Sequence, residues 1–185
     1  FPWTSLPPLV RARGRAGTGQ IVTTAFAVPP SSFDFWIDRF ADAGVDLEPT
    51  VERFGERVVS LHDPDGIVVE LVATDGARAD ASWPEGPIPD AHAIARIRGV
   101  TIALRDPAAS AQLLTGLLGF RESAADGARR RFIVGDEPAT GHVDLLVDPA
   151  SGPGRMGIGA VHHVAWRVSD ADSQLHWRER LAAAG

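Results

Sequence analysis

The sequence predicts an α+β fold built from tandem βαβββ units, of which the third is incomplete. Three observations support this prediction. A pattern of strand, helix N-cap, amphipathic helix and closing glycine occurs three times along the chain. Strand-like sequence follows the helix in the first two copies, while the third copy stops at Gly185. The 185 residues, 44% of them apolar, suffice for one globular unit of ordinary size or for two small units sharing a core.

The first unit is predicted over residues 20–75. Its first strand covers residues 20–28, and its helix runs over residues 33–43. Ser31 or Ser32 is expected as the N-cap, because a short side-chain oxygen accepts a hydrogen bond from a free N–H of the first helical turn. The helix presents one apolar face, formed by Phe33, Trp36, Ile37 and Phe40.

The second unit is predicted over residues 97–148 with the same order of elements. A strand over residues 99–104 precedes Asp106, which is the expected N-cap. Pro107 suits the first helical turn, where its missing N–H costs nothing. The helix is expected to close at Gly119, because a glycine readily takes the left-handed conformation that ends many helices.

The last two strands of each unit are predicted to be neighbours in the sheet. In the first unit, strands over 57–61 and 67–72 flank residues 63–66, Asp-Pro-Asp-Gly, whose proline and glycine positions suit a type I turn. In the second unit, strands over 130–134 and 142–147 flank a loop. Each complete unit therefore has the order βαβββ.

A third unit is predicted to begin at residue 161. It would contain a strand over residues 161–168, the N-cap Asp170 and a helix up to Gly185. Residues rich in Gly and Pro are predicted as linkers and a connector, namely 1–19, 76–96 and 149–160. Because the chain begins at Phe1 without Met and stops directly after a helix, we expect it to be an internal fragment of a longer polypeptide, with residues 1–19 leaving an earlier unit.

The composition excludes several kinds of chemistry. The chain has no Cys, Lys or Tyr, so disulfides, thiolate nucleophiles, Cys-type metal sites and Schiff-base lysines are absent. The net charge of −6 argues against nucleic acid as the main partner. No apolar run approaches the ~18–20 residues of a membrane span, and no secretory leader pattern is seen at the start. These observations predict a cytoplasmic protein without a membrane partner.

The apolar patterns align the first strands of the three copies. The alignment makes Thr23, Gly99 and His163 equivalent. It also places a carboxylate, Glu70 or Asp144, at a matching position in the last strand of each complete unit. Since Thr23 and Gly99 are not metal ligands, these two carboxylates do not complete a ligand set, and we interpret the first two units as a structural half.

Several short motifs carry a resemblance to a known family. They are Gly17-Thr18-Gly19-Gln20, the run Thr-Ala-Phe-Ala-Val-Pro at 24–29, Arg-Phe-Gly-Glu-Arg at 53–57, Asp-Pro-Asp-Gly-Ile-Val-Val-Glu at 63–70, and Val-His-His-Val-Ala-Trp at 161–166. Together with the βαβββ repeat they resemble the vicinal oxygen chelate superfamily of glyoxalases, bleomycin resistance proteins and extradiol dioxygenases. Within it the chain is similar to ring-cleaving, hydroquinone-type dioxygenases. The resemblance implies a glyoxalase-like fold of curved mixed sheets with helices outside.

The resemblance also implies a metal site and its chemistry. The family holds Fe(II), or sometimes Mn(II), with two His and one Glu, and this pattern assigns one ligand to the chain, His163. The other two would lie before Phe1 and after Gly185. His162 is expected to act beside the metal, steering protons or substrate. Strand alternation would point His162 away from the face of His163 unless the strand is bulged there.

Three functions remain open from the sequence. The first is a fragment of a non-haem Fe(II)-dependent ring-cleaving dioxygenase of aromatic catabolism, with a small hydroquinone-like substrate and O₂ as partners. The second is a metal-free small-molecule-binding module, like the bleomycin resistance proteins. The third is a glyoxalase-like lyase or isomerase with Zn or Ni. In each enzymatic case the chain alone is expected to be inactive, and an unpaired strand edge within residues 161–185 favours a homo-oligomer.

The other polar and aromatic residues are interpreted as structural. Arg129-Arg130-Arg131 is expected to be a solvated strand edge, with anion binding as the alternative. The remaining histidines are expected to have no special role: His62, His92, His142 and His176. Trp36, Trp166 and Trp177 are assigned to core or interface packing.

Overall fold

Eight strands of the computed structural model form one mixed sheet within the described residues, which are 12–78, 83, 85–135 and 141–185. The strands are β1 (Gln20–Val28), β2 (Val51–Arg53), β3 (Glu56–His62), β4 (Val68–Ala73), β5 (Arg96–Leu104), β6 (Arg121–Asp126), β7 (Arg129–Ile133) and β8 (His142–Val147). The helices are α1 (Phe33–Asp42), α2 (Ala108–Gln112) and α3 (Ala171–Ala184), and a π-helical turn over Leu113–Leu117 extends α2. The curved sheet with its helices outside confirms the predicted fold class.

The sheet is a pseudo-symmetric pair of four-stranded halves. The strand order is β2-β3-β4-β1-β5-β8-β7-β6. Within each half the first strand pairs in parallel with the last, as β1 with β4 and β5 with β8. The halves join at the centre, where β1 and β5 run antiparallel. Each βαβββ unit therefore supplies one half of a single sheet.

The strand register confirms the predicted alignment of the two complete units. Thr23 lies opposite Val68, two residues before Glu70. Gly99 lies opposite His142, which is likewise two residues before Asp144. The two carboxylates therefore occupy equivalent places on the last strand of each unit.

A β-bulge occurs at the same place in both units. In β1 the pairing passes from Ile21 to Thr23, so Val22 is the extra residue. In β5 the pairing passes from Gly99 to Ile97, so Arg98 is the extra residue. Each extra residue stands directly before the aligned position of its unit. A bulge re-aims the side chain of the extra residue, and here it redirects Arg98.

Two apolar clusters fix α1 and the segment of α2 with its π-helical turn to the outer face of the sheet. The cluster of the first unit contains Val28, Phe33, Trp36, Val59 and Leu71, and that of the second contains Val100, Leu114, Phe120, Phe132, Val143 and Leu145. Because side chains alternate along a strand, the residues between these, such as Glu70 and Asp144, point to the opposite, concave face. The fold thus directs charged side chains onto the concave face, whose hollow we call the cup.

The predicted turn and the predicted cap of α3 are confirmed, whereas the caps of the first two helices differ from the prediction. The N-cap of α2 is Pro107 and not Asp106. In the predicted hairpin turn, Gly66 N–H donates to the carbonyl of Asp63 (2.9 Å). Asp170 caps α3 by accepting from Ser173 N–H at 2.7 Å, and Asp106 accepts from Ala108 N–H at 2.9 Å. Ser32 differs, because its hydroxyl donates to the carbonyl of Ala91 instead of capping α1.

The strand predicted over residues 161–168 is wrong for this chain. Val161 makes one isolated antiparallel bridge with Ile21, and the following residues form no ladder with the described strands. The physical reason is that β1 already pairs with β4 and β5 on its two edges, so no edge is free there. Trp166 is 51% exposed and not in the core, although its ring contacts Phe120 edge-on.

Parts of the predicted linkers and of the loop over residues 135–141 lie outside the described residues, and the bounds of the linkers stay predictions. Where they are described, residues 12–19 and 152–158 lie side by side, with Arg15 and Arg155 exchanging backbone hydrogen bonds of 2.9 and 2.8 Å. In the described part of the chain, none of the helices combines the length and the apolarity that a bilayer crossing requires.

Candidate functional site

Seven charged side chains meet in the cup and form what we call the cup network: Arg53, Glu56, Glu70, Arg98, Arg129, Arg131 and Asp144. All of them are largely shielded from solvent, with side-chain exposures of 17% or less. A buried charge is tolerated only when it is paired and hydrogen-bonded. The contacts below satisfy this condition.

Glu70 and Glu56 are the carboxylates that the first unit contributes. Glu70 accepts hydrogen bonds from Arg53 at 3.0 and 2.9 Å. Glu56 accepts from Arg98 at 3.0 and 3.1 Å, from Arg131 at 2.7 Å and from Thr74 at 2.9 Å. Burial raises the pKa of Glu56, but the charges and hydrogen bonds of Arg98 and Arg131 outweigh it, so the pKa lies below its usual value.

Asp144 is the carboxylate of the second unit, and two arginines hold it. Arg131 donates to both of its oxygens, at 2.9 and 3.1 Å, and Arg129 donates at 3.3 Å. Burial raises the pKa of Asp144, but the Arg131 hydrogen bonds and the neighbouring positive charges lower it further, so the net shift is downward. The bidentate geometry is the strong form of this ion pair.

The prediction of a solvated edge at residues 129–131 is therefore wrong for two of the three arginines. The strand β7 lies between β6 and β8 and is not an edge. Alternation turns Arg129 and Arg131 into the cup, whereas Arg130 points outward and pairs with Glu122. A run of three arginines looks uniformly solvated in the sequence, and only the period of two distinguishes its members.

His142 is a buried, neutral member of the cup. Its side chain is 3% exposed, and burial lowers the pKa from 6.5 to about 3. Its Nε2 lies 3.8 Å from Asp144, and its Nδ1 has no hydrogen-bond partner among the described residues. The position of His142 at the start of a strand was predicted, but the burial of its side chain was not. The imidazole fills the space beside Gly99, where a Cβ would come within 2.3 Å of the ring.

Gly99 should therefore not tolerate a side chain. Changing Gly99→Ala is expected to destabilise the fold by about 1–3 kcal/mol, because the methyl group would overlap the His142 ring in a packed interior. Gly116→Ala is the matched control, since a Cβ there meets no heavy atom within 4 Å. Urea denaturation of both variants measures the difference, and equal midpoints would contradict the tight packing.

The cup does not assemble a metal ligand set from the residues described. Glu70 and Asp144 are engaged by guanidinium groups, and their aligned partners Thr23 and Gly99 offer no imidazole. Within the described ranges, no group of three or more His, Cys, Asp or Glu residues could hold a metal ion. The geometry makes the two carboxylates salt-bridge partners in this chain.

The predicted site residues His162 and His163 lie elsewhere, in the exposed segment before α3. Their Nδ1 atoms are 3.0 Å apart, and the rings stand nearly perpendicular at 86°. For neutral rings this contact needs one Nδ1–H donor and one Nδ1 acceptor. The donor ring then keeps a lone pair on Nε2, which is the form that binds a metal.

A cleft of about 510 Å³ opens at the mouth of the cup and was not predicted. It runs between the β2–β3 turn and the end of β4 on one side and the strands β6 and β7 on the other. Its lining includes Pro30, Phe54, Glu56, Ala73, Thr74, Arg98, Ala124, Arg131 and Ile133. Phe54 takes a left-handed conformation with φ of 52°, and Arg131 stacks on its ring at 4.3 Å.

Comparison with known proteins gives consistent matches. The sequence model of the glyoxalase/bleomycin resistance protein/dioxygenase superfamily matches residues 96–185. MhqO of Bacillus subtilis (strain 168), which is named a ring-cleaving dioxygenase, is 34% identical over 187 residues, covering 100% of the chain and 56% of MhqO. The chlorohydroquinone/hydroquinone 1,2-dioxygenase of Sphingobium indicum is 26% identical over 164 residues, covering 87% of the chain and 51% of that enzyme.

A solved structure agrees with these sequence matches. A crystal structure from Bacillus subtilis that is named a dioxygenase superimposes with a TM-score of 0.85 at 33% identity, covering 95% of the chain and 55% of that protein. The chain thus spans about half the length of the curated relatives it matches.

Proposed function

The chain belongs to the glyoxalase/bleomycin resistance protein/dioxygenase superfamily, and on this premise we propose that it is part of a non-haem Fe(II)-dependent, extradiol-type ring-cleaving dioxygenase. Its substrates would be a hydroquinone-like aromatic and O₂. The observation that carries the proposal is the 34% identity to MhqO over the whole chain. The hydroquinone dioxygenase similarity suggests the substrate class.

We propose His163 as a metal ligand of that enzyme. The strand alignment that assigns it is supported by the equivalent pairing of Thr23 with Val68 and of Gly99 with His142 in the two complete units. His163 is exposed, and a neutral imidazole offers a lone pair to a metal. The described residues alone do not fit a complete iron site, so no reaction step is assigned to them.

We propose that His162 handles a proton beside the metal. Its equivalents in the complete units are Val22 and Arg98, the extra residues of the two bulges. A bulge at the same place in the strand of a completed third unit would bring His162 to the side of His163. The short contact between the two Nδ1 atoms is compatible with a proton held between them. The iron, or Mn(II) in its place, would supply the binding and activation of O₂.

The test is oxygen consumption by an iron-loaded protein that carries these residues together with their flanking sequence. We expect turnover of hydroquinone, loss of activity and of bound iron in His163→Ala, and normal behaviour in His176→Ala, which changes an exposed histidine on α3. A His163→Ala variant with full iron content would refute the ligand assignment. Turnover without oxygen uptake would favour a glyoxalase-like lyase or isomerase.

The 185 residues alone should bind Fe(II) weakly. A single imidazole ligand cannot supply the three protein ligands that hold such an ion, and the carboxylates of the cup are already paired. Isothermal titration calorimetry under anaerobic conditions should show no stoichiometric, tight binding. Tight one-to-one binding would contradict the proposed division of ligands.

We also propose that the intact protein acts in the cytoplasm in aromatic catabolism and that the chain self-associates.

A further inference from the structure

We propose that the cleft at the mouth of the cup binds a small aromatic carboxylate without a metal. The proposal concerns the two complete units and does not depend on the iron site proposed for His163. Its volume of about 510 Å³ falls in the range of roughly 300–1,000 Å³ typical of pockets for small organic ligands. Both units contribute walls, so a ligand there would bridge the pseudo-symmetric halves.

Arg131 supplies the group that would recognise the carboxylate. A guanidinium has five N–H donors, and in the part of the chain that the structure describes three of those of Arg131 are used, two by Asp144 and one by Glu56. The side chain lines the cleft and is only 8% exposed, and its charge is shared between Asp144 and Glu56. A carboxylate oxygen is the natural acceptor for the remaining N–H bonds of a guanidinium held in this way.

Phe54 supplies the aromatic wall. It occupies the first central position of the tight turn between β2 and β3, followed by Gly55, and both have positive φ. Asn or Asp is favoured at the first such position, and a bulky residue there is strained. The ring lies 4.3 Å from the Arg131 guanidinium, and strained residues of this kind cluster at ligand sites.

The rest of the lining is mixed. Its polar members are Glu56, Arg57, Thr74, Asp75, Arg98 and Ser123, and with Arg131 the cleft has three arginines against two carboxylates. Pro30, Ala73 and Ile133 line the cleft beside Phe54. These three side chains offer no hydrogen-bonding groups, so this part of the cleft suits the ring of a ligand. A ring that carries one carboxylate combines the two requirements, and benzoate is the simplest such probe.

The test is titration of the 185-residue chain with benzoate and, as its neutral isostere, benzamide. It needs neither iron nor oxygen, so its failure would leave the dioxygenase proposal untouched. We expect saturable one-to-one binding of benzoate in calorimetry, at least about tenfold tighter than benzamide, because a hydrogen bond to an ionised group is the stronger one. Absence of saturation at millimolar benzoate, or equal affinity for benzamide, would overturn the proposal.

Two variants locate the site. Phe54→Gly suits the left-handed turn, keeps the chain folded and should weaken benzoate binding about tenfold by removing the ring. Ala124→Phe fills the cleft from β6 and should abolish binding, whereas Ala125→Phe adds the same bulk at the next position, opposite outward-facing Arg130, and should leave it unchanged. Unaltered binding in Ala124→Phe would show that benzoate binds elsewhere and would refute the assignment.

Discussion

Changing Arg131→Met is expected to lower the free energy of unfolding by about 3–5 kcal/mol, the range for removing one partner of a buried ion pair. Arg131 joins the two units, as Arg98 also does, since it bonds to Asp144 of its own unit and to Glu56 of the other. Methionine keeps an unbranched apolar stem but removes the guanidinium, so both carboxylates are left with fewer donors. The cost arises mainly from the buried charge on Asp144, which is 1% exposed.

The neighbouring arginine provides the control. Arg130→Met removes the same charge one residue away, but this side chain lies on the outer face and pairs with Glu122 near the surface. Exposed pairs of this kind contribute little to stability. Urea denaturation should therefore separate the two variants clearly. Similar midpoints would show that the cup network contributes no more than a surface ion pair.

Much of the fold could be predicted because its signals are local. The turn at Asp63 depends on residues within four positions, as does the cap at Asp170. The strand predicted over residues 161–168 failed for a different reason. A helix satisfies its own backbone, whereas a strand needs an edge supplied by another segment, and the edges of β1 are occupied.

The cup network could not be predicted, because its contacts join distant positions. Glu56 and Arg131 are 75 residues apart, and their contact requires both units to be in register. Arg98 reaches Glu56 from the extra position of a bulge, which simple alternation would miss. The aligned carboxylates Glu70 and Asp144 were identified correctly, but no local signal indicated that arginines hold them.

Acid should destabilise the protein before its carboxylates titrate. His142 has a pKa of about 3 in the folded state against 6.5 when exposed. Below pH 6.5 its imidazole is therefore protonated in the unfolded chain but stays neutral in the folded chain. The stability that this residue contributes is fully present above pH 6.5 and is lost as the pH falls toward 3. Between pH 6.5 and 4.5 the free energy of unfolding should fall by about 2–3 kcal/mol, at roughly 1.4 kcal/mol per pH unit.

This pH window isolates the histidine from the rest of the cup. Glu56 and Asp144 have pKa values below their ordinary 4.5 and 3.8, so their contributions to the free energy of unfolding are lost only as the pH falls through that lower range.

His142→Gln keeps a polar side chain without a titrating group and should remove most of the slope between pH 6.5 and 4.5. His176→Gln alters an exposed histidine on α3 and should leave the slope as it is. Chemical denaturation at several pH values measures both, and a slope that survives in His142→Gln would mean that another group takes up the proton. The shift of the His142 pKa is caused chiefly by burial, which the negative charge of Asp144 only partly offsets, so a variant that opens the cup to solvent should raise this pKa.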